Sequence, residues 1–251
     1  MVVWARMKTT RISPFPQTQW TMLVDVCRDG APELRQRALE TLCRYYWFPL
    51  YAFARRAGNS RQDAEDLTQG FFQYLLERGL FSTASQELGK LRTFLLTAFQ
   101  RYAGDVRDMK LALKRGGGHE ILSLDVGEAE RHFGEPAESL TPHEIFDHQW
   151  AMTVLHGTLR QLREAEDDAG RGGQFAILEP FLNPKSEGEG NYTAAADALG
   201  MNGEATRKAV SRLRGKFRDL LRRQIGDTLR FPTEEQVDAE LTVLKAALRR
   251  L

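Results

Sequence analysis

Apolar residues in this chain recur at spacings of three and four along most segments and seldom alternate with polar ones, so helices rather than strands must bury them. The fold expected is all-α. Glycine and proline mark where the helices stop. After Pro14 and Pro16, a helical run over residues 20–53 breaks at Gly30-Ala31-Pro32. A second run, over about residues 61–77, comes after Gly58-Asn59-Ser60, where Asn59 or Ser60 can cap it; a third, over about 90–115, ends in Gly116-Gly117-Gly118. Residues 118–146 are acidic and loop-like, and Pro136 and Pro142 interrupt any long helix there. Helical periodicity returns with Ile145, Trp150, Val154, Leu155, Leu159 and Leu162 and breaks at 170–173; beyond it lie a short apolar element over 175–182 and a loop over 183–191. The simplest partition is two helical lobes joined by an acidic linker: residues 1–118, a linker over 119–142, a second lobe over 143–230, and a tail over 231–251. The tail opens with a capping box, Thr233-Glu234-Glu235-Gln236, and continues through Val237, Leu241, Leu244, Leu248 and Leu251 as an amphipathic helix, expected to pack on the chain's own lobes, with another helical protein as the alternative; the tail or the acidic linker is expected to restrain the lobes.

The chain of 251 residues, 42% hydrophobic, can bury a sizeable core. It carries no run of eighteen apolar residues and no basic-then-apolar leader, so a cytoplasmic protein without a membrane partner is expected. Cys27 and Cys43 are too few for a disulfide framework and lack metal-site spacing. The net charge of +1 is a cancellation: residues 1–87, 88–118, 119–191, 192–230 and 231–251 carry +2, +5, −10, +5 and −1. Two basic islands flanking an acidic stretch suit a polyanion met at two places, and the acidic stretch could compete with it for the basic faces.

The second island has a recognisable form. A short helix over about 193–199 stops at Gly200, Asn202 can cap the next helix, and that helix is long and basic, which is a helix-turn-helix pattern. On the second helix Val210, Leu213, Phe217, Leu220 and Leu221 form the apolar stripe, and Arg207, Lys208, Ser211, Arg212 and Arg214 fall largely on other faces, where they would meet base edges and phosphates. Gly215 interrupts the helix at a cost of about 1 kcal/mol relative to alanine.

The first island comes after Asp63-Ala64-Glu65-Asp66-Leu67-Thr68-Gln69-Gly70-Phe71-Phe72-Gln73-Tyr74. Helical spacing gathers Ala64, Leu67, Phe71 and Leu75, with Tyr74 at the margin, as a core stripe and places Asp63, Asp66, Gln69 and Gln73 on a polar face. Acids in a first turn also favour the helix dipole. In the next run Phe94, Phe99 and Tyr102 interleave with Arg92, Arg101 and Arg107, a mixture suited to stacking on splayed bases and neutralising phosphates. Most of these aromatics are nonetheless expected in the core, with at most one exposed.

The motif at residues 63–72 resembles conserved region two of the sigma-70 family of RNA polymerase sigma factors, in the extracytoplasmic-function branch. Residues 91–107 resemble the next part of that region and residues 192–221 resemble region four. With Phe15-Pro16-Gln17-Thr18-Gln19-Trp20, Lys114-Arg115-Gly116-Gly117-Gly118 and the tail, the chain is similar to the long members found in planctomycete-like bacteria. The resemblance implies that Asp63, Asp66, Leu67, Gln69 and Gln73 bind the clamp coiled coil of core RNA polymerase. It also implies that Arg92, Phe94, Arg101 and Arg107 engage and open the minus-ten element, and that Arg207, Lys208, Ser211, Arg212 and Arg214 read the minus-thirty-five element. The partners implied are core polymerase, promoter DNA and an anti-sigma or other regulatory protein. Two positions depart from the family pattern: Gly70 replaces an acidic residue and Ala209 replaces an arginine common in the recognition helix.

Other motifs add no chemistry. Lys114-Arg115-Gly116-Gly117-Gly118 lacks the phosphate-loop order and reads as a hinge; His143, His148 and His156 have no metal-site spacing, and no catalytic constellation stands out. No cofactor and no enzymatic activity are expected. The alternatives from other classes are a helix-turn-helix regulator acting without polymerase and a helical interaction adaptor.

Overall fold

A computed structural model describes residues 32–78, 90–113, 140–183, 188–229 and 232–249. The segment around 15–20, Cys27, the run 114–118 and nearly all of the acidic connection lie outside the described residues. The described residues form eight α-helices and one short 3₁₀ turn: α1 (Pro32–Arg56), α2 (Arg61–Arg78), α3 (Leu91–Leu113), α4 (Pro142–Asp168), α5 (Gly172–Leu178), the 3₁₀ turn (Glu179–Leu182), α6 (Glu189–Leu199), α7 (Gly203–Asp227) and α8 (Glu234–Leu248). Among them there is no strand, only an isolated bridge between Lys90 and Leu229. The fold is all-α, as the periodicity implies. No described helix is long and apolar enough to cross a membrane.

Local chemistry accounts for the helix ends. Gly58 takes φ 95°, which turns the chain out of α1. Ser60 then caps α2 by accepting from the Asp63 amide at 3.1 Å, while the Asn59 amide group reaches back to the Ala54 carbonyl at 2.8 Å. Reciprocal capping boxes open α4 (Thr141 with Glu144) and α8 (Thr233 with Gln236).

Two cores result. The larger one packs Tyr46, Leu50 and Tyr51 of α1, Phe71 and Leu75 of α2, and Leu91, Leu95 and Phe99 of α3. Its rings meet edge to face, Phe71 on Phe99 at 5.1 Å and Phe53 on Phe99 at 6.1 Å. Phe146, Trp150 and Val154 of α4, Ile225 of α7, and Val237, Leu241 and Leu244 of α8 complete this core. The smaller core gathers Leu162, Phe175, Leu178, Phe181, Ala195, Ala209, Val210 and Leu213 around the helix-turn-helix.

The partition at residue 143 does not coincide with the division between the cores. Helix α4 has 27 residues and so spans about 40 Å. Its first half belongs to the larger core and Leu162 to the smaller. Helix α7 does the same in reverse, with Val210 in the smaller core and Ile225 in the larger. A linker read from composition marks where the chain changes character. It does not mark which apolar faces find each other.

Helix α8 belongs to the larger core. Burial of Val237, Leu241 and Leu244 contributes about 1.5–3 kcal/mol each. Polar pairs fix its register: Arg222 of α7 bridges to Glu234 and Asp238, and Glu240, 1% exposed, meets Lys90 at 2.6 Å and Arg92 at 2.8 Å. The Leu91 amide adds a backbone bond to the Thr228 carbonyl at 3.1 Å.

Candidate nucleic-acid interface

The turn between α6 and α7 is built by three residues. Gly200 adopts φ 61°, a left-handed conformation that glycine takes without a Cβ penalty, and the Met201 amide closes on the Ala196 carbonyl at 2.9 Å. Asn202 then caps α7, its side chain accepting from the Ala205 amide at 2.8 Å. Buried Thr206 donates to the Asn202 carbonyl at 3.1 Å, tying the first turn down.

Helix α7 consequently seats Ala209, Val210 and Leu213 inward and leaves Arg207, Lys208, Ser211 and Arg212 exposed on one face. Arg207 stacks over the Tyr192 ring at 5.5 Å, and Lys208 pairs with Glu204 at 2.7 Å, both members of that pair being well exposed. Gly215 lies one turn beyond Ser211, and a Cβ there would meet nothing within 4 Å, so packing does not demand the glycine. Arg214 is different. Its guanidinium donates twice to the Phe181 carbonyl, at 2.9 and 2.6 Å, and closes the 3₁₀ turn. Of the five residues expected to face nucleic acid, Arg214 thus differs in being half-buried, with Nε and Nη2 given to a carbonyl at a helix end. Ala209 is buried in the smaller core and lines the pocket between α5 and α7.

The basic residues of α3 are divided more sharply. Arg101 and Arg107 are exposed, the latter 3.8 Å from Asp108. Arg92 is not: it pairs with Glu240 and, at 2.6 Å, with Asp147, and its guanidinium lies over Trp150 at 5.1 Å. Phe94 is buried, 7% exposed, in the larger core. Neither Arg92 nor Phe94 is presented to a nucleic acid in this arrangement. The reason is tertiary, because Glu240 lies 148 positions from Arg92 and no local spacing links them.

On α2 the expected polar face splits in two. Asp66 and Gln69, half-buried, and Gln73, exposed, share one side. Asp63 and Leu67 turn instead toward a groove of about 460 Å³ that they share with Phe53, Val106 and Arg107. Asp63 also accepts from the Ser60 hydroxyl at 2.6 Å, which makes it part of the helix start. Gly70 is a packing residue: a Cβ there would collide with the hydroxyl of Tyr102, whose ring lies 5.8 Å from Phe71 and 5.1 Å from Tyr74.

The histidines have interior or surface roles. His148 Nδ1 lies 3.0 Å from the Ala247 carbonyl, and His143 meets Gln100 at 3.1 Å and the Phe53 ring edge-on. Burial pushes the Cys43 thiol up to about 11, with Glu40 adding to the shift, so it is a poor nucleophile. Among the described residues no cluster of three or more potential metal ligands occurs.

No family model, no curated protein and no solved structure matches this chain.

Proposed function

We propose that this chain is a transcription-initiation factor of the sigma type, which binds core RNA polymerase and directs it to promoter DNA without catalysing a reaction itself. The observation that carries the reading is the α6–α7 helix-turn-helix, with Gly200 and Asn202 shaping the turn and Arg207, Lys208, Ser211 and Arg212 on the exposed face of the second helix. The order of motifs in the sequence supports it, with the acidic helix α2 preceding the mixed basic and aromatic helix α3 and both preceding the helix-turn-helix. Asp66, Gln69 and Gln73 are the residues of α2 assigned to polymerase, and Arg101 and Arg107 those of α3 assigned to the single strand.

A second reading, a helix-turn-helix regulator that binds duplex DNA without polymerase, is favoured by the intramolecular engagement of Arg92 and the burial of Phe94. One experiment separates the two. Purified protein is added to core polymerase and tested on a promoter library for sequence-specific initiation. A sigma factor confers initiation at a recurrent sequence, whereas a regulator retains duplex DNA and yields no initiation. Neither initiation nor DNA retention would leave only a helical adaptor.

A further inference from the structure

A pocket of about 240 Å³ opens between α5 and α7 on the flank of the exposed basic face. Its polar lining is Arg171, Gln174, Arg212 and Lys216 together with Glu166. Glu166 is 6% exposed and sits in the last turn of α4, where the helix dipole disfavours a carboxylate. It is held there by two cations, Arg171 Nε at 2.6 Å and Lys216 Nζ at 2.6 Å. Neither cation is engulfed, since their side chains remain 45% and 46% exposed. The next carboxylate in the chain, Asp167, does not line the pocket and occupies the space a Cβ at Gly172 would take.

A purely structural hub around Glu166 accounts for Arg171 and Lys216 holding it. It does not account for a third cation, Arg212, at the same opening, nor for the surplus of positive charge over the single carboxylate. Arg212 belongs both to this pocket and to the exposed face of α7, and Lys216 lies one turn later, about 6 Å along the axis. A strand whose bases met Arg207, Lys208 and Ser211 would pass its backbone across this opening.

We propose that the α5–α7 pocket is a seat for a phosphodiester of duplex DNA, contacted by Arg171, Arg212 and Lys216, with Glu166 as the positioning residue that aims Arg171 and Lys216 into the opening. The proposal rests on the helix-turn-helix reading above and names a contact from the α4–α5 turn, outside the helix-turn-helix itself. Such a contact sets the register of α7 on the duplex and carries no sequence information. Neither Arg171 nor Glu166 stands out in the sequence, because each is one charged residue in a Gly-rich, acidic segment.

The test uses the full chain and a labelled random-sequence duplex, with affinity measured by fluorescence anisotropy from about 50 to 200 mM salt. Loss of one phosphate contact flattens the slope of log K against log salt by about 0.9. Arg171→Gln and Lys216→Gln should each show that flattening, equally for unrelated duplex sequences, and Arg171→Lys should restore most of it. Arg160→Gln, an exposed arginine paired with Glu164 at 4.0 Å and outside the pocket lining, should leave the slope unchanged. If the wild-type chain binds duplex DNA and the folded Arg171 and Lys216 variants keep its slope, the cluster is a structural ion pair only and the seat is overturned. If the wild-type chain binds no duplex DNA, the seat is overturned, and the helix-turn-helix reading is decided separately by the initiation assay with core polymerase.

Discussion

Replacing Glu240 by Gln removes the negative charge at the point where α8 meets α3 and changes almost nothing in size. Glu240 is 1% exposed and Arg92 only 13%, so the pair is largely cut off from water. Breaking a buried pair by deleting one partner costs about 3–5 kcal/mol when the other is left uncompensated. Here Arg92 keeps Asp147 at 2.6 Å, and Lys90, 44% exposed, can return to solvent at a cost of at most about 1 kcal/mol. The expected loss is accordingly nearer 2–3 kcal/mol, or about 4–12 °C in Tm. Urea unfolding should show a lower midpoint at unchanged slope. The pH dependence has its origin in the same contacts. Burial by itself would raise the Glu240 carboxyl, but the hydrogen bonds from Arg92 and Lys90 outweigh it and hold the group below its ordinary value. The stabilisation is therefore present above the unfolded value of about 4.3 and is lost as pH falls through the lower folded value. The gap between wild type and Glu240→Gln should close on acidification. A gap that persists there, or Arg92→Ala and Glu240→Gln effects that add to within about 0.5 kcal/mol in a double-mutant cycle, would refute the reasoning.

Four further outcomes are expected. Gly215→Ala should stabilise the chain by about 0.5–1 kcal/mol, because the Cβ meets open space and α7 gains helix propensity; thermal unfolding reads this directly. Gly70→Glu, which introduces the acidic residue usual in the resembled family, should cost about 1–3 kcal/mol by displacing Tyr102, with a matching change in near-ultraviolet circular dichroism. Arg214→Ala should lower stability by about 1.5–3 kcal/mol through the loss of its two bonds to Phe181, whereas Arg212→Ala should stay within about 0.5 kcal/mol in the same urea experiment. Asp227→Asn should make stability less dependent on pH: burial pushes the Asp227 carboxyl up to about 6, so the folded state holds its proton more tightly and wild-type stability falls as pH rises toward 6. Calorimetry across that range should show the variant gaining on the wild type as the pH increases.

The helix-turn-helix is the part most legible in the sequence, because its determinants are local. Gly200 needs only its own backbone to enter the left-handed region, and Asn202 needs only the amide three residues on. The stripe of Val210 and Leu213 against the exposed face of Arg207, Lys208, Ser211 and Arg212 is likewise set by helical period alone. Arg214 shows where that logic ends. Helical period removes it from the apolar stripe, but only the path of the 3₁₀ turn after α5 decides that a carbonyl waits for it.

Periodicity, capping and left-handed glycines act over a turn or less, so the helical character, most helix boundaries among the described residues and the outward face of Arg207, Lys208, Ser211 and Arg212 follow from local sequence alone. Tertiary structure decided everything that depends on partners distant in the chain. It joined the two expected lobes through α4 and α7, set α8 into the larger core, and took Arg92 from the polyanion face to the side of Glu240. It also made Gly70 a seat for Tyr102 and brought Arg171, Arg212 and Lys216 to one opening. The physical reason is common to these cases. A charge or an apolar stripe declares what kind of environment it needs, and several places in a folded chain can supply it. Which one does is chosen by the packing of the whole, where burying an unpaired Arg92 or leaving the α8 stripe in water would each cost several kcal/mol.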